Sequence, residues 1–151
     1  MHVWRLTRRA HQALDGEGAR LYGGRWNSEG VAVVYASATL ALAALEYLVH
    51  VDPQDVPDDL VALRVDVPDA AAAETVAVAD LPADWNTLDD HPACVARGDA
   101  WAAVGTALAL RVPSAIVPEE GNVLLNPAHP GMRLVRVAAA RPFAFDPRLP
   151  R

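Results

Sequence analysis

Polar and apolar residues mix at a period near two over residues 2–6, which carry Val3 and Trp4 and predict a short opening strand. The pattern then breaks. DGEGARLYGGRWNSEG sets Gly16, Gly18, Gly23, Gly24 and Gly30 among charged and aromatic residues with no regular period, and reads as a long loop. Residues 31–36, VAVVYA, are rich in β-branched side chains and bounded by Gly30 and Ser37, the pattern of a buried strand. From Thr39 the composition turns to alanine and leucine. TLALAALEYLVH therefore reads as a helix, with Ser37 or Thr39 as its N-cap and Pro53 beyond its end. Residues 60–67, LVALRVDV, alternate well enough for another strand, whereas 68–92 are rich in Ala, Asp and Pro and predict mostly irregular chain.

Residues 94–110 read as a second helix, with Val95, Trp101, Val104 and Leu108 on an apolar face that Gly98 and Gly105 weaken. Short apolar runs at 115–117, 123–125 and 134–137 are separated by Pro118, Gly121, Asn126, Pro127 and Pro130, the spacing of strands in a compact sheet. Phe143 and Phe145 suit the proline-rich tail to docking on the core. The pattern predicts an α+β fold: one compact domain over residues 1–151, with a central mixed β-sheet and flanking helices.

Composition narrows the chemistry. With 151 residues and 52% hydrophobic content the chain has enough apolar surface for one sizeable core and none of the signature of disorder. All 13 basic residues are arginine, which excludes a Schiff-base or P-loop lysine, and the net charge of -6 without a basic run argues against nucleic-acid binding. Cys94 is the single cysteine, so no internal disulfide is available. The opening MHVWRLTRRAHQ lacks the apolar core of a secretory signal, and the longest uncharged stretch, 31–45, is too short to span a bilayer at the ~20 residues required. A cytoplasmic protein without membrane attachment is expected. The histidines show no metal-ligand spacing, so no metal site is expected.

Three residues stand out. Arg25, in GGRWN, lies beside glycines that let a ligand approach the backbone and next to Trp26 and Asn27, which can stack and hydrogen-bond. Its guanidinium suits a diphosphate, or else a loop ion pair with Glu17 or Glu29. Glu46 is the only charge in a helix that is apolar nearly all round, so it needs water on a narrow stripe or a partner in a polar pocket. Tyr35 ends a strand, where sites of α/β proteins often form, although strand tyrosines are more often core. Ser114 lacks the G-x-S-x-G elbow of a nucleophile and reads as a hydrogen-bonding residue; Asn122 and Asn126 lie in the same proline-punctuated segment.

Taken together, GEGARLYGGRWNSEG, VVYAS, LALAALEYLVH, GDAWA, VPSAIVPEEGNVLLNPAHP and PFAFDPRL resemble the RES-domain toxins over nearly the whole chain. The resemblance implies a fold similar to ADP-ribosyltransferases and a toxin of a bacterial toxin–antitoxin system that cleaves the nicotinamide–ribose bond of NAD by hydrolysis or phosphorolysis. NAD is then a substrate, with no separate cofactor. ADP-ribosylation of a cellular protein is the alternative, and a non-catalytic NAD- or protein-binding module a third reading. By motif, the catalytic residues would be Arg25, Tyr35 and Glu46. Tyr35 would stack on nicotinamide, and Arg5, Trp26, Asn27, Ser114 and Asn122 would contact NAD; Arg5 follows Trp4 where the family's opening strand has tyrosine. The resemblance also implies an antitoxin with an Xre-like helix-turn-helix part that occludes the cleft, in a homo- or hetero-oligomer.

Overall fold

Strand β1 (His2–Arg8) forms where the alternation predicts it, because Val3 and Leu6 each find a buried face. It pairs antiparallel with β3 (Leu60–Asp66) along its whole length, from His2 opposite Asp66 to Arg8 opposite Leu60. The computed structural model describes residues 1–87 and 91–149. Its remaining elements are α1 (Glu17–Tyr22), β2 (Val34–Ser37), α2 (Leu40–Leu48), β4 (Ala73–Thr75), α3 (Pro92–Val104), β5 (Ala109–Pro113), β6 (Gly121–Leu125) and β7 (Arg136–Pro142). Seven strands make one mixed sheet in the order β4-β5-β6-β2-β1-β3-β7, in which only β4 and β5 run parallel.

One sheet face buries Val3, Val34, Leu63, Val65, Val123 and Leu125 in a continuous cluster. The other carries two. Trp26, Trp85, Cys94 and Trp101 pack over Leu110 and Leu124, while Leu6, Ala43, Leu60 and Ala62 form a second cluster with α2. The tail docks on the latter: the Phe143 and Phe145 rings meet edge to face at 5.1 Å, and Phe145 lies 6.3 Å from Tyr47.

Thr39 is the cap of α2, its hydroxyl accepting the Leu42 N–H at 3.1 Å, while Ser37 belongs to β2. Four sequence expectations need correction. Residues 16–30 contain α1 as well as loop. The helix expected over 94–110 stops at Val104, because Gly105 takes φ +64 and returns its N–H to Trp101 O at 3.1 Å; the apolar run after it becomes β5. Residues 115–117 turn instead of extending, since Ser114 Oγ accepts the Ile116 and Val117 N–H groups at 3.1 Å each. Residues 134–137 straddle a 3₁₀ turn (Pro130–Leu134) and the start of β7. Between 68 and 92 the chain is mostly irregular as expected, apart from β4 and a 3₁₀ turn at Val78–Asp80, with residues 88–90 outside the described residues.

Candidate functional site

Adjacent strands bring the site's polar groups together. Ser37 at the end of β2 stands opposite Asn122 in β6, Ser114 follows β5, and Glu46 faces them from α2. Glu46 Oε1 accepts hydrogen bonds from Ser114 Oγ at 2.8 Å and Asn122 Nδ2 at 2.5 Å. The direction of each bond is forced. A carboxylate only accepts, so Asn122 must present its amide nitrogen; Ser114 fills both lone pairs with the Ile116 and Val117 N–H groups, so its proton goes to Glu46. Oε1 is thereby occupied, whereas Oε2 receives no hydrogen bond from any described residue. Glu46 is half-buried and has two polar side-chain partners, instead of standing alone on a solvent stripe.

Tyr35 is two residues before Ser37, on the same side of β2. Its hydroxyl accepts the Trp26 N–H at 3.0 Å and donates to Asn27 Oδ1 at 2.7 Å. Asn27, 1% exposed, sends its amide nitrogen to the carbonyls of Ala19, Ser28 and Val31 at 2.8, 3.0 and 3.0 Å. Asn27 and Trp26, itself 2% exposed, therefore hold the loop's shape from inside it. Gly24 is required there, because a Cβ would lie 2.7 Å from the Tyr35 hydroxyl. Burial pushes the Tyr35 phenol well above its ordinary value, so it stays neutral. Tyr35→Phe is expected to cost about 1–3 kcal/mol, since it strands a buried N–H and a buried carbonyl oxygen. The neutral phenol's contribution is complete below the unfolded value of about 10 and is lost as pH rises beyond it. Urea titrations at rising pH should show alkaline destabilisation that is smaller in the variant; equal curves and equal midpoints would exclude this role.

Arg25 reaches the chain that precedes α3. Nη1 donates to Trp85 O at 2.7 Å and lies 2.8 Å from His91 Nδ1, which must accept, and Nη2 donates to Thr87 O at 3.0 Å. Neither Glu17 nor Glu29 pairs with it; Glu17 binds Arg20 at 2.7 Å. Of its five N–H donors, one on Nε and one on Nη2 have no partner among the described residues. Desolvation lowers the proton affinity of Arg25, and the nearby Cys94, Glu46 and Tyr35 oppose that, which places Glu46 within its electrostatic reach. Arg5 stands apart. It pairs with Leu63 and so alternates to the side of Val3, away from Trp4 and Ser37. Its Nη1 makes a long 3.4 Å bond to Tyr35 O, its buried Nε has no partner among the described residues, and burial lowers its proton affinity despite Asp15.

Glu46, Ser114 and Asn122 thus form one hydrogen-bonded group, Tyr35, Trp26 and Asn27 a second beside it, and Arg25 ties the second to the chain before α3. Sequence reasoning missed Ser37, whose hydroxyl donates to Asn122 Oδ1 at 2.7 Å; two-residue alternation from Tyr35 was the available signal. Among the described residues no cluster of three or more His, Cys, Asp or Glu is placed to hold a metal ion, and no helix is long and apolar enough to cross a membrane.

The family model for the RES domain matches residues 2–146. The chain belongs to the RES-domain family. A Sphingobium sp. (strain YBL2) protein named "Prs ADP-ribosylating toxin" is 39% identical, over 97% of this chain and 94% of the relative. A Photorhabdus laumondii protein named "Toxin Res" is 38% identical, over 99% and 97% respectively. The RES domain also shares its fold with a chain of the M. tuberculosis MbcT–MbcA toxin–antitoxin complex, with a TM-score of 0.76 at 21% identity, covering 94% of this chain and 83% of that one.

Proposed function

We propose that this RES domain is the toxin of a toxin–antitoxin pair and that it breaks the nicotinamide–ribose bond of NAD. The observation that carries the reading is the half-occupied carboxylate: Oε1 of Glu46 is fixed by Ser114 and Asn122, while Oε2 is left for a ligand and the carboxylate lies within electrostatic reach of the Arg25 guanidinium. Nicotinamide departs with the bonding electron pair as a neutral base, and the ribose C1′ gains oxocarbenium character. A fixed negative charge stabilises that cation and orients the incoming oxygen nucleophile. Water gives ADP-ribose and releases a proton; phosphate gives the phosphate ester. In this reading the two spare N–H groups of Arg25 hold the diphosphate, and the Tyr35 ring lies against nicotinamide.

The name of the Sphingobium relative favours a second reading, transfer of ADP-ribose to a protein. The MbcT–MbcA complex supports an antitoxin partner. In this reading that partner covers the site and carries an Xre-like helix-turn-helix part that supplies any DNA contact. Acting on a cellular dinucleotide, the protein works in the cytoplasm.

Purified protein incubated with NAD carrying a label in its adenosine should release nicotinamide together with labelled ADP-ribose or its phosphate ester. Label retained on protein after addition of a lysate supports transfer instead. Absence of nicotinamide in every arm overturns the NAD reading.

A further inference from the structure

Ser37 is 4% exposed and its hydroxyl makes no hydrogen bond to Glu46, yet it completes a chain of hydrogen bonds that ends on the carboxylate. The amide of Asn122 can face Glu46 in two ways. With nitrogen forward it donates; with oxygen forward it sets lone pairs against lone pairs. A side-chain amide turns over at small cost unless a partner of fixed polarity selects one end, and here the acceptor-only Glu46 carboxylate selects the nitrogen, while the Ser37 hydroxyl, able to donate or accept, adapts to the oxygen and anchors it. At the rear of Asn122 the partner is Ser37, which donates to Oδ1 at 2.7 Å. At the front Nδ2 donates to Glu46 at 2.5 Å. The backbone supports the arrangement, since Ser37 and Asn122 are register partners in the β2–β6 ladder and face the same side.

We propose that Ser37 is a positioning residue: by donating to Oδ1 it anchors the Asn122 amide, whose nitrogen the Glu46 carboxylate draws forward, and so holds the carboxylate rotamer that leaves Oε2 toward the substrate. The proposal rests on the NAD reading for its kinetic consequence, whereas the hydrogen-bond chain stands independently of it. Ser114 is a separate anchor, locked by the Ile116 and Val117 N–H groups, so loss of Ser37 frees one of the two donors to Oε1 and leaves the other in place.

Loss of one such bond should lower kcat about three- to tenfold with KM unchanged. In an Asn122→Ala background, Ser37→Ala should have no further effect, because there is no amide left to anchor. A Ser37 that only supports the fold would act equally in both backgrounds, and that result, or wild-type turnover in Ser37→Ala, overturns the proposal. Should Ser37→Ala not fold, Ser37→Cys keeps the shape with a weaker donor and is expected to show a smaller loss of the same kind. A second readout does not need turnover: NMR of the ¹⁵N-labelled protein should show faster solvent exchange of the Asn122 amide protons in Ser37→Ala, with the Asn27 amide unaffected. If wild-type protein consumes no NAD, the functional reading falls and this readout alone decides; unchanged Asn122 exchange then overturns the positioning role.

Discussion

Glu46→Gln is expected to slow nicotinamide release by about 10²–10³-fold while the protein stays folded. Glutamine is chosen over alanine because its carbonyl oxygen can accept both bonds that Ser114 and Asn122 now give to Oε1. The carboxylate's position is kept and its charge is lost. Weakening these bonds from charge-assisted to neutral costs about 1 kcal/mol, a fall in melting temperature of about 2–4 °C for a chain of this size. A large kinetic loss with a small thermal one assigns the effect to charge facing the ribose. If the variant keeps turnover within tenfold of wild type, Glu46 is holding the sheet and α2 together and the chemistry lies elsewhere. The same variant should relieve growth arrest in cells expressing the chain without its antitoxin.

Where one element's period was unbroken, the sequence was readable. β1 and β3 alternate over lengths that pair fully, and α2 shows an alanine–leucine run behind a threonine cap. The error over 94–110 has a specific cause. ALALRV satisfies a helix as well as a buried strand, and the left-handed Gly105 that separates α3 from β5 looks in sequence like any glycine in a weak helix. The strand expected over 115–117 failed because the Ser114 hydroxyl captures two backbone N–H groups and bends the chain.

The site divides in the same way. Glu46 was legible because a lone carboxylate on an apolar helix needs partners, and it has two. Trp26 and Asn27 stand next to Arg25 in sequence, and adjacency cannot separate a side chain that meets a ligand from one that shapes the loop. Their burial at 2% and 1%, with every Asn27 bond spent on carbonyls and Tyr35, is a tertiary fact. Ser37 was hidden for the opposite reason. Serine at a strand end is common, and its significance depends on Asn122, 85 residues away and visible only once β2 and β6 pair.

Gly98→Ala is expected to destabilise the protein by at least about 3 kcal/mol, lowering the melting temperature by about 6–12 °C. Helix propensity alone predicts the opposite, since alanine is better than glycine in a helix interior by about 1 kcal/mol. Packing decides it. A Cβ at Gly98 would lie 1.7 Å from Trp26 O and 2.8 Å from Trp26 C, both main-chain atoms that cannot rotate away. Restoring van der Waals distance requires α3 to retreat by about 1.5 Å or more, which opens the contact of Cys94 and Trp101 with the Trp26 cluster. Gly18→Ala is the matched control: it is also helical, in α1, with nothing within 4 Å of an added Cβ, and should be neutral or stabilising by about 0.5–1 kcal/mol. Denaturation of both variants separates sterics from propensity, and wild-type stability in Gly98→Ala would mean that α3 is not seated on Trp26. The seat also bears on function. Trp26 follows Arg25 directly and its N–H is held by Tyr35, so a displaced α3 moves the loop that presents the guanidinium, and the folded fraction of Gly98→Ala should turn over NAD more slowly than wild type.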